Sequence, residues 1–475
     1  MLLLKRYFFA SCIIILVPTA LLLYSCANII PPGGGPRDTL PPVLLKAAPA
    51  DSSLHFTGNK IVLTFNEYVQ LGNTLQTDLV VSPNPQQMPL VESKLQTVTV
   101  RLKDSLVPNT TYSINFGKTI KDVNEGNPYK NFTYVFATGN TIDNGALSGR
   151  VQLAETGTTD STLIVILHKD LNDSAIKKER PFYYTRLDSG GRFNFRYLAY
   201  GTYAVYVLPN DFTKRYDDST KTFAFLNEPV VVDSTGARNL TLYAYNEVEP
   251  STTQSGPLPT PTSTSSKRTP ADTAKSISYT TTLQRTQQDL LSDLVIKFTK
   301  PLARFDSTKL SLNDTNFHPI SGYTITADTS FSQFTLKYPW KEEQSFRLLI
   351  QKDAFADSSG LTLAKDDTIT FHTASEAEYG SIRLRFSNLD LSRNPVLQFT
   401  ENNKVLDSAA LTSTEFFRRL YKPGEYGLRI LYDTDKNMTW TPGSFDLKKQ
   451  PEIVVNVPRK INIKQNWDNE VNINL

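Results

Sequence analysis

Near the C-terminus the segment YDTDKNMTWTPG sets Asp433, Asp435 and Asn437 at alternate positions, the D-x-D-x-N spacing by which a calcium loop offers its first oxygen ligands. The glycine that should follow is Met438, and the twelfth loop position is Ser444, so the bidentate carboxylate of such a loop is missing. Two readings therefore stand: a structural Ca²⁺ held by Asp433, Asp435 and Asn437, or a polar hairpin turn in which Asp and Asn bond their own backbone. Trp440, next to this turn and accompanied in sequence by Tyr432 and Tyr421, is the candidate ligand-binding residue. An indole can stack on a sugar or anchor a partner, and a lone Trp in a β-sandwich also packs at the edge of its core. Trp340 and Trp467 offer the same choice.

Acid–base, nucleophilic and phosphate chemistry have no comparable signal. The histidines are His55, His168, His318 and His372, and none has a partner at a metal-ligand or catalytic spacing. No Gly-rich phosphate loop, nucleophile elbow or zinc signature occurs. No catalytic residue is assigned, and the expectation is a protein that is not an enzyme.

The N-terminus carries chemistry of another kind. Lys5 and Arg6 precede the apolar run Tyr7 to Leu23, which ends at Ser25 before Cys26. This is a charged region, an apolar region and a processing site. An uncleaved transmembrane anchor is the alternative, because about 17 apolar residues is the lower limit for spanning a bilayer. Pro18 and the abrupt Ser-Cys ending favour cleavage. Leu23-Tyr24-Ser25-Cys26 resembles a bacterial lipobox, although Tyr24 is bulkier than the usual residue there. The resemblance implies that Cys26 is the lipidation site, the acylated first residue of the mature chain. Each buried methylene contributes about 0.8 kcal/mol, so several acyl chains hold a protein to a membrane lastingly. Residues 27–42 hold Pro31, Pro32, Gly33, Gly34, Gly35, Pro36, Pro41 and Pro42 and read as a disordered tether.

Composition limits the partners. Cys12 leaves with the signal and Cys26 is acylated on this reading, so the folded part must be stable without disulfides. Fifty basic residues against 47 acidic ones give a formal charge of +3. The sequence shows no run of clustered Lys and Arg of the kind that neutralises phosphates, so nucleic acid is not the expected partner. The 22 Tyr and 26 Phe, with frequent Thr, suit sheet surfaces.

Alternation of period two recurs along the chain. Ile61, Leu63 and Phe65 share a face, as do Val98, Val100 and Leu102, then Tyr112, Ile114 and Phe116, then Phe132, Tyr134 and Phe136. This predicts half-buried antiparallel strands in a two-sheet sandwich over residues 43–140. A differently punctuated all-β module follows over 144–246, with Phe193 and Phe195 on one face and Tyr203, Val205 and Val207 on the next. Residues 247–280 are mostly Ser, Thr and Pro and read as a linker of roughly 30 Å average span, which leaves the two halves free to move independently.

Beyond it the pattern repeats over 281–375 and 379–475. Leu294, Ile296 and Phe298 parallel the first strand, and Phe417, Leu420, Gly424, Tyr426 and Leu428 align with Phe195, Leu198, Gly201, Tyr203 and Val205 apart from one inserted residue. The expected fold class is all-β, with modules in the order A-B-linker-A-B after a signal peptide (1–25) and tether (26–42).

The A modules resemble bacterial Ig-like domains of the S-layer SbsA type. The residues that carry this are Thr111-Tyr112-Ser113-Ile114 and Ser345-Phe346-Arg347-Leu348, the turns Asp122 to Gly126 and Asp357 to Gly360, and the closing Phe136-Ala137-Thr138 and Phe371-His372-Thr373. The B modules are similar to transthyretin-like domains of the carboxypeptidase-regulatory and Cna-B type, through Leu420, Pro423, Gly424 and Tyr426, with Gly201 and Tyr203 in the first copy. Together these imply a Gram-negative envelope lipoprotein in the outer membrane, joined to the membrane by its lipid and acting as a structural or protein-interaction scaffold with an envelope protein partner. The alternative is a carbohydrate-binding lipoprotein that captures a glycan.

Overall fold

The computed structural model describes residues 37–247 and 276–475. Cys26, most of the expected tether and most of the expected linker lie outside the described residues. Among the described residues the regular structure is almost entirely strand, and the chain divides into a compact unit ending at Ile142 and a second running from Asp143 to Leu475.

In the first unit, strands Leu44–Ala48, Lys60–Phe65, Thr97–Arg101 and Leu90–Lys94 form one sheet in that order. Val80–Ser82, Thr111–Asn115 and Thr133–Ala137 form another. Ile61, Leu63, Phe65, Val98, Val100, Ile114 and Phe136 are fully buried between them, as the alternation requires. The Asp-to-Gly turn has a physical basis. Asp122 is 1% exposed, and its carboxylate accepts from the backbone N–H groups of Glu125, Gly126 and Asn127 at 2.7–2.8 Å. Burial works to raise its pKa, but these amides win and hold the carboxyl below its ordinary value. Gly126 adopts φ +78, a left-handed conformation that disfavours a β-carbon. The end of the expected tether lies against this module: Asn127 donates to the Asp38 carbonyl at 3.1 Å.

The second A module repeats the devices. Asp357 accepts from the amides of Ser359 and Leu361 at 2.9 Å, with Gly360 at φ +82. The closing Phe-x-Thr also works alike in both copies. Thr138 donates to the Val107 carbonyl and accepts from the Thr110 amide, while Thr373 donates to Lys341 and accepts from Gln344. The sheet begins with Tyr279–Thr281 paired to Leu294–Phe298, and Ile277 already donates to the Thr362 carbonyl, so the last residues of the expected linker belong to this module.

The B modules share one topology. In the first, Gly145–Leu153 lies between antiparallel Arg192–Leu198 and parallel Ala237–Ala244. In the second, Gly380–Ser387 lies between antiparallel Glu415–Tyr421 and parallel Asp468–Asn474. A bulge follows the opening glycine in each copy, between Gly145 and Leu147 and between Gly380 and Ile382. The opposing sheets centre on Leu163–His168 paired with Gly201–Pro209, and on Pro395–Glu401 paired with Gly424–Tyr432. The Gly-x-Tyr motif is a tether across the turn. Tyr203 donates its hydroxyl to the Ala199 carbonyl at 2.7 Å, and Tyr426 to Lys422 at 3.1 Å.

The structural register corrects the sequence alignment of this hairpin. Leu198 and Tyr421 occupy equivalent places opposite Gly145 and Gly380, and the counterpart of buried Phe193 is Phe416. Phe417 does not match Phe195: it is 52% exposed, with the Arg383 guanidinium 4.6 Å above its ring. Matching residue types across FFRR ignored the parity of a strand, in which neighbouring residues face opposite ways.

Candidate functional site

The connection from Tyr432 to Ile453 in the second B module gathers the residues whose spacing drew attention. Asp433 is 2% exposed, and its Oδ1 accepts from the amides of Lys436 (2.6 Å) and Asn437 (3.2 Å), its Oδ2 from Met438 (2.7 Å). Lys436 and Met438 take left-handed φ values of 62 and 66 to aim those amides inward. Asp435 accepts from the Asn437 amide and, at 2.7 Å, from the Thr441 hydroxyl. That hydroxyl is the main reason its carboxyl sits below the usual carboxylate range. Asn437 turns its own side chain to Thr439 and Thr441.

The missing carboxylate comes from outside the twelve-residue frame. Glu452, also 2% exposed, accepts from the Thr434 amide (2.6 Å) and hydroxyl (2.8 Å) with Oε1, and from the Thr441 amide (3.0 Å) with Oε2. Oxygens of Asp433, Asp435 and Glu452 come within 4.8 Å of one another, a set that could hold a cation. The Asn437 side-chain amide is bonded to Thr439 and Thr441 beside this set. The same oxygens collect backbone and hydroxyl hydrogens, as two buried charges must if they are not to remain desolvated and unpaired. Trp440 is half-buried on Val396, Leu431 and Val454 and donates Nε1 to the Glu452 carbonyl at 2.9 Å. Its N–H is thus spent within the loop.

This stapled base projects a finger. Thr441 and Glu452 close it, Ser444 and Lys449 exchange backbone hydrogen bonds of 2.8 and 2.9 Å, and Phe445 begins the tight turn at its tip. Gly443 is required there, because a β-carbon would fall 2.7 Å from the Tyr245 ring.

Phe445 is 2% exposed although it stands in a polar loop, because it enters a pocket on the first B module. Its ring meets Phe223 at 5.1 Å, Phe225 at 5.2 Å, Tyr206 at 6.0 Å and Tyr216 at 6.2 Å, all edge to face. Burying such a side chain contributes about 2–3 kcal/mol, and each aromatic pair adds to it. Polar contacts ring the plug. The Phe445 amide donates to Glu247, Gln450 donates to the Phe225 carbonyl (3.1 Å) and Asn227 (2.9 Å), and Lys177 pairs with Asp446 at 2.7 Å and Lys448 with Asp173. Farther along, the Val454 amide donates to the Ala154 carbonyl at 3.0 Å and Asn456 to Thr156 at 2.6 Å. The two B modules are therefore docked within one unit, which corrects the expectation that the linker lets the halves move independently.

The docking explains a run that alternation could not. All six residues of Leu163–His168 and six consecutive residues of Gly201–Pro209 are buried, because both faces of this sheet are covered. His168 lies on the covered face, 2% exposed, with its ring edge-on to Tyr206 and no hydrogen-bond partner for Nε2. Burial pushes its pKa down to about 4 against the opposing pull of Asp170. The unbroken LIVIL of this strand was the available signal for a second layer.

The second A and second B modules are also joined. Asp289 accepts from the Tyr379 hydroxyl at 2.7 Å and pairs with Lys422, while the Leu290 amide donates to Tyr379 at 2.9 Å. Burial works to raise the Asp289 carboxyl, and Lys422 with the Leu291 amide and the Tyr379 hydroxyl holds it below the usual range.

Residues 38–138 match the family described as Bacterial Ig-like domain, which is the first A module. No curated protein matches the chain. Among solved structures, the chain is similar to the Bacillus anthracis TIE protein at 11% identity over 94% of this chain and 75% of that one, with a TM-score of 0.17. It is also similar to BcpA, the major pilin subunit of Bacillus cereus, at 11% identity over 70% of this chain and 99% of that one, TM-score 0.17. The N-terminal part of the bacterial S-layer protein SbsC aligns at 15% identity over 37% of this chain and 42% of its own, TM-score 0.16. At these scores the likeness carries no statement about this chain, whose all-β character rests on its own sheets and the Ig-like character of its first module on the matched domain.

Proposed function

We propose that this chain is a non-enzymatic scaffold of the cell envelope, lipid-anchored through Cys26, whose Ig-like and transthyretin-like modules hold a protein partner at a set distance from the membrane. The observation that carries the reading is the seat of Phe445 in the Tyr206, Tyr216, Phe223 and Phe225 pocket. Together with the Asp289 joint it makes one connected body of three modules, which suits load or spacing better than turnover. The paired carboxylates serve the same purpose, since they shape the finger that reaches the neighbouring module.

Crosslinking in intact envelopes, followed by identification of attached proteins, tests the scaffold. Recovery of a recurrent envelope protein supports it, and a purified chain that turns over a substrate overturns it. Labelling with a radioactive fatty acid tests the anchor separately. Label is expected on the wild type and absent from Cys26→Ala, and an unlabelled wild type ends that part of the proposal.

A further inference from the structure

The outer face of the three-stranded sheet in the first B module carries charge that no carboxylate among the described residues balances. Arg150 on the central strand stands directly opposite Arg192 on the antiparallel neighbour, and both are exposed. Arg196 lies on the same side of the same strand as Arg192, and Arg238 sits in the bulge that opens the parallel strand. Among the described residues no carboxylate lies within ion-pair distance of these four guanidiniums. Asp188, in the turn before Arg192, spends its Oδ1 on the amides of Gly190 and Arg192.

The duplicate shows what a balanced face looks like. Arg385 occupies the place of Arg150, and the residue opposite it is Glu415. Arg383 and Arg385 there share Glu415 and Glu470 in four ion pairs of 2.6–3.7 Å. Arg419 on the edge strand pairs with Glu376. Like charges opposite one another in an antiparallel pair destabilise it, so the first copy carries a local cost that its sister avoids.

We propose that this face binds an anionic polysaccharide whose repeating carboxylates pair with Arg150, Arg192, Arg196 and Arg238. Guanidinium forks match carboxylates two bonds at a time. Ser148, Gln152 and Thr241 lie between the arginines on the same face and suit sugar hydroxyls, and Tyr243, opposite Gln152, supplies a ring on which a pyranose stacks. Arg192 and Arg196 stand four residues apart, about 13 Å along the strand, so a polymer spans the charges where one sugar does not. The face has no apolar centre of the kind that anchors a folded protein partner. The proposal is independent of the lipid anchor and of the scaffold reading.

The purified full chain tests it, with polygalacturonate as the probe and neutral dextran and polyglutamate as comparators. Polygalacturonate is expected to bind, and to bind more weakly as NaCl rises from about 50 to about 300 mM. Arg192→Glu restores the pairing of the second module, so its melting temperature should hold or rise while affinity falls on the order of tenfold. Arg383→Ser, on the balanced face, should leave binding unchanged. The proposal is overturned if polygalacturonate fails to bind, if dextran binds equally, if Arg192→Glu binds as well as wild type, or if polyglutamate binds as tightly, which would indicate an acidic protein instead.

Discussion

The two B modules are copies with the same strand order, the same bulge and the same tyrosine tether, yet each has surrendered symmetry on the face where they meet. The first presents an aromatic pocket, and the second presents a finger ending in Phe445. Between Pro209 and Val230 the first module folds its connection back as Tyr216, Phe223 and Phe225 to line its own sheet. The equivalent connection in the second, from Asp433 to Glu452, is stapled by carboxylates and points away from its own core. Equivalent connections in two modules of one topology thus supply a surface and its complement, and the difference between them forms the interface.

The strongest way to break that complementarity is Phe445→Ala. Removing a fully buried ring without refilling its pocket costs roughly 3–5 kcal/mol. The unit from Asp143 to Leu475 should show an unfolding transition that the wild type lacks, and trypsin should cut after Lys448 and Lys449 in the folded protein. An unchanged unfolding profile would mean that the polar rim alone holds the modules together.

Acid separates the copies next. His168 belongs only to the first module and is held neutral, its pKa about 4 when folded against about 6.5 when unfolded. Below pH 6.5 the unfolded chain takes a proton that the folded chain refuses, so stability falls as pH drops from about 6.5 to about 4. The loss approaches the order of 2–3 kcal/mol at the lower end. His168→Phe should remove that component of the pH dependence in a denaturant titration, and an unaltered profile would assign it elsewhere.

Glu452→Gln tests the staple. The new amide keeps one accepting oxygen and turns its NH₂ toward the donors of either Thr434 or Thr441, so about 1–3 kcal/mol is expected to be lost from the finger. Because the staple is built from backbone donors, added Ca²⁺ should not restore the melting temperature. A rise in the wild-type melting temperature with Ca²⁺ that Glu452→Gln lacks would instead make Asp433, Asp435 and Glu452 a metal site.

How far these features were legible follows from the kind of signal each leaves. Alternation exposed the strands of the A modules because each buries one face, and Asp122 and Asp357 announced their turns through a glycine a few residues on. The finger left a weaker trace, a single Phe445 among polar neighbours, since one residue has no period. Glu452 was missed because its place beside Asp433 depends on a chain reversal of nineteen residues, beyond any fixed loop spacing. The opposed Arg150 and Arg192 are 42 positions apart and become neighbours only through the register of their strands.

The smallest effect sharpens the comparison most finely, because it asks whether one motif is worth the same in both copies. Tyr203 is fully buried and its hydroxyl bond to Ala199 is 2.7 Å, whereas Tyr426 is partly exposed and its bond to Lys422 is 3.1 Å. Water can replace a lost partner only where it reaches. Tyr203→Phe should therefore cost about 1 kcal/mol and Tyr426→Phe roughly half that or less, measured as paired shifts in denaturant midpoint. Equal losses would show that the tether matters for turn geometry alone, whatever its burial. A larger loss at Tyr426 would mean that the second hairpin, which carries the finger, depends more on its tether than burial implies.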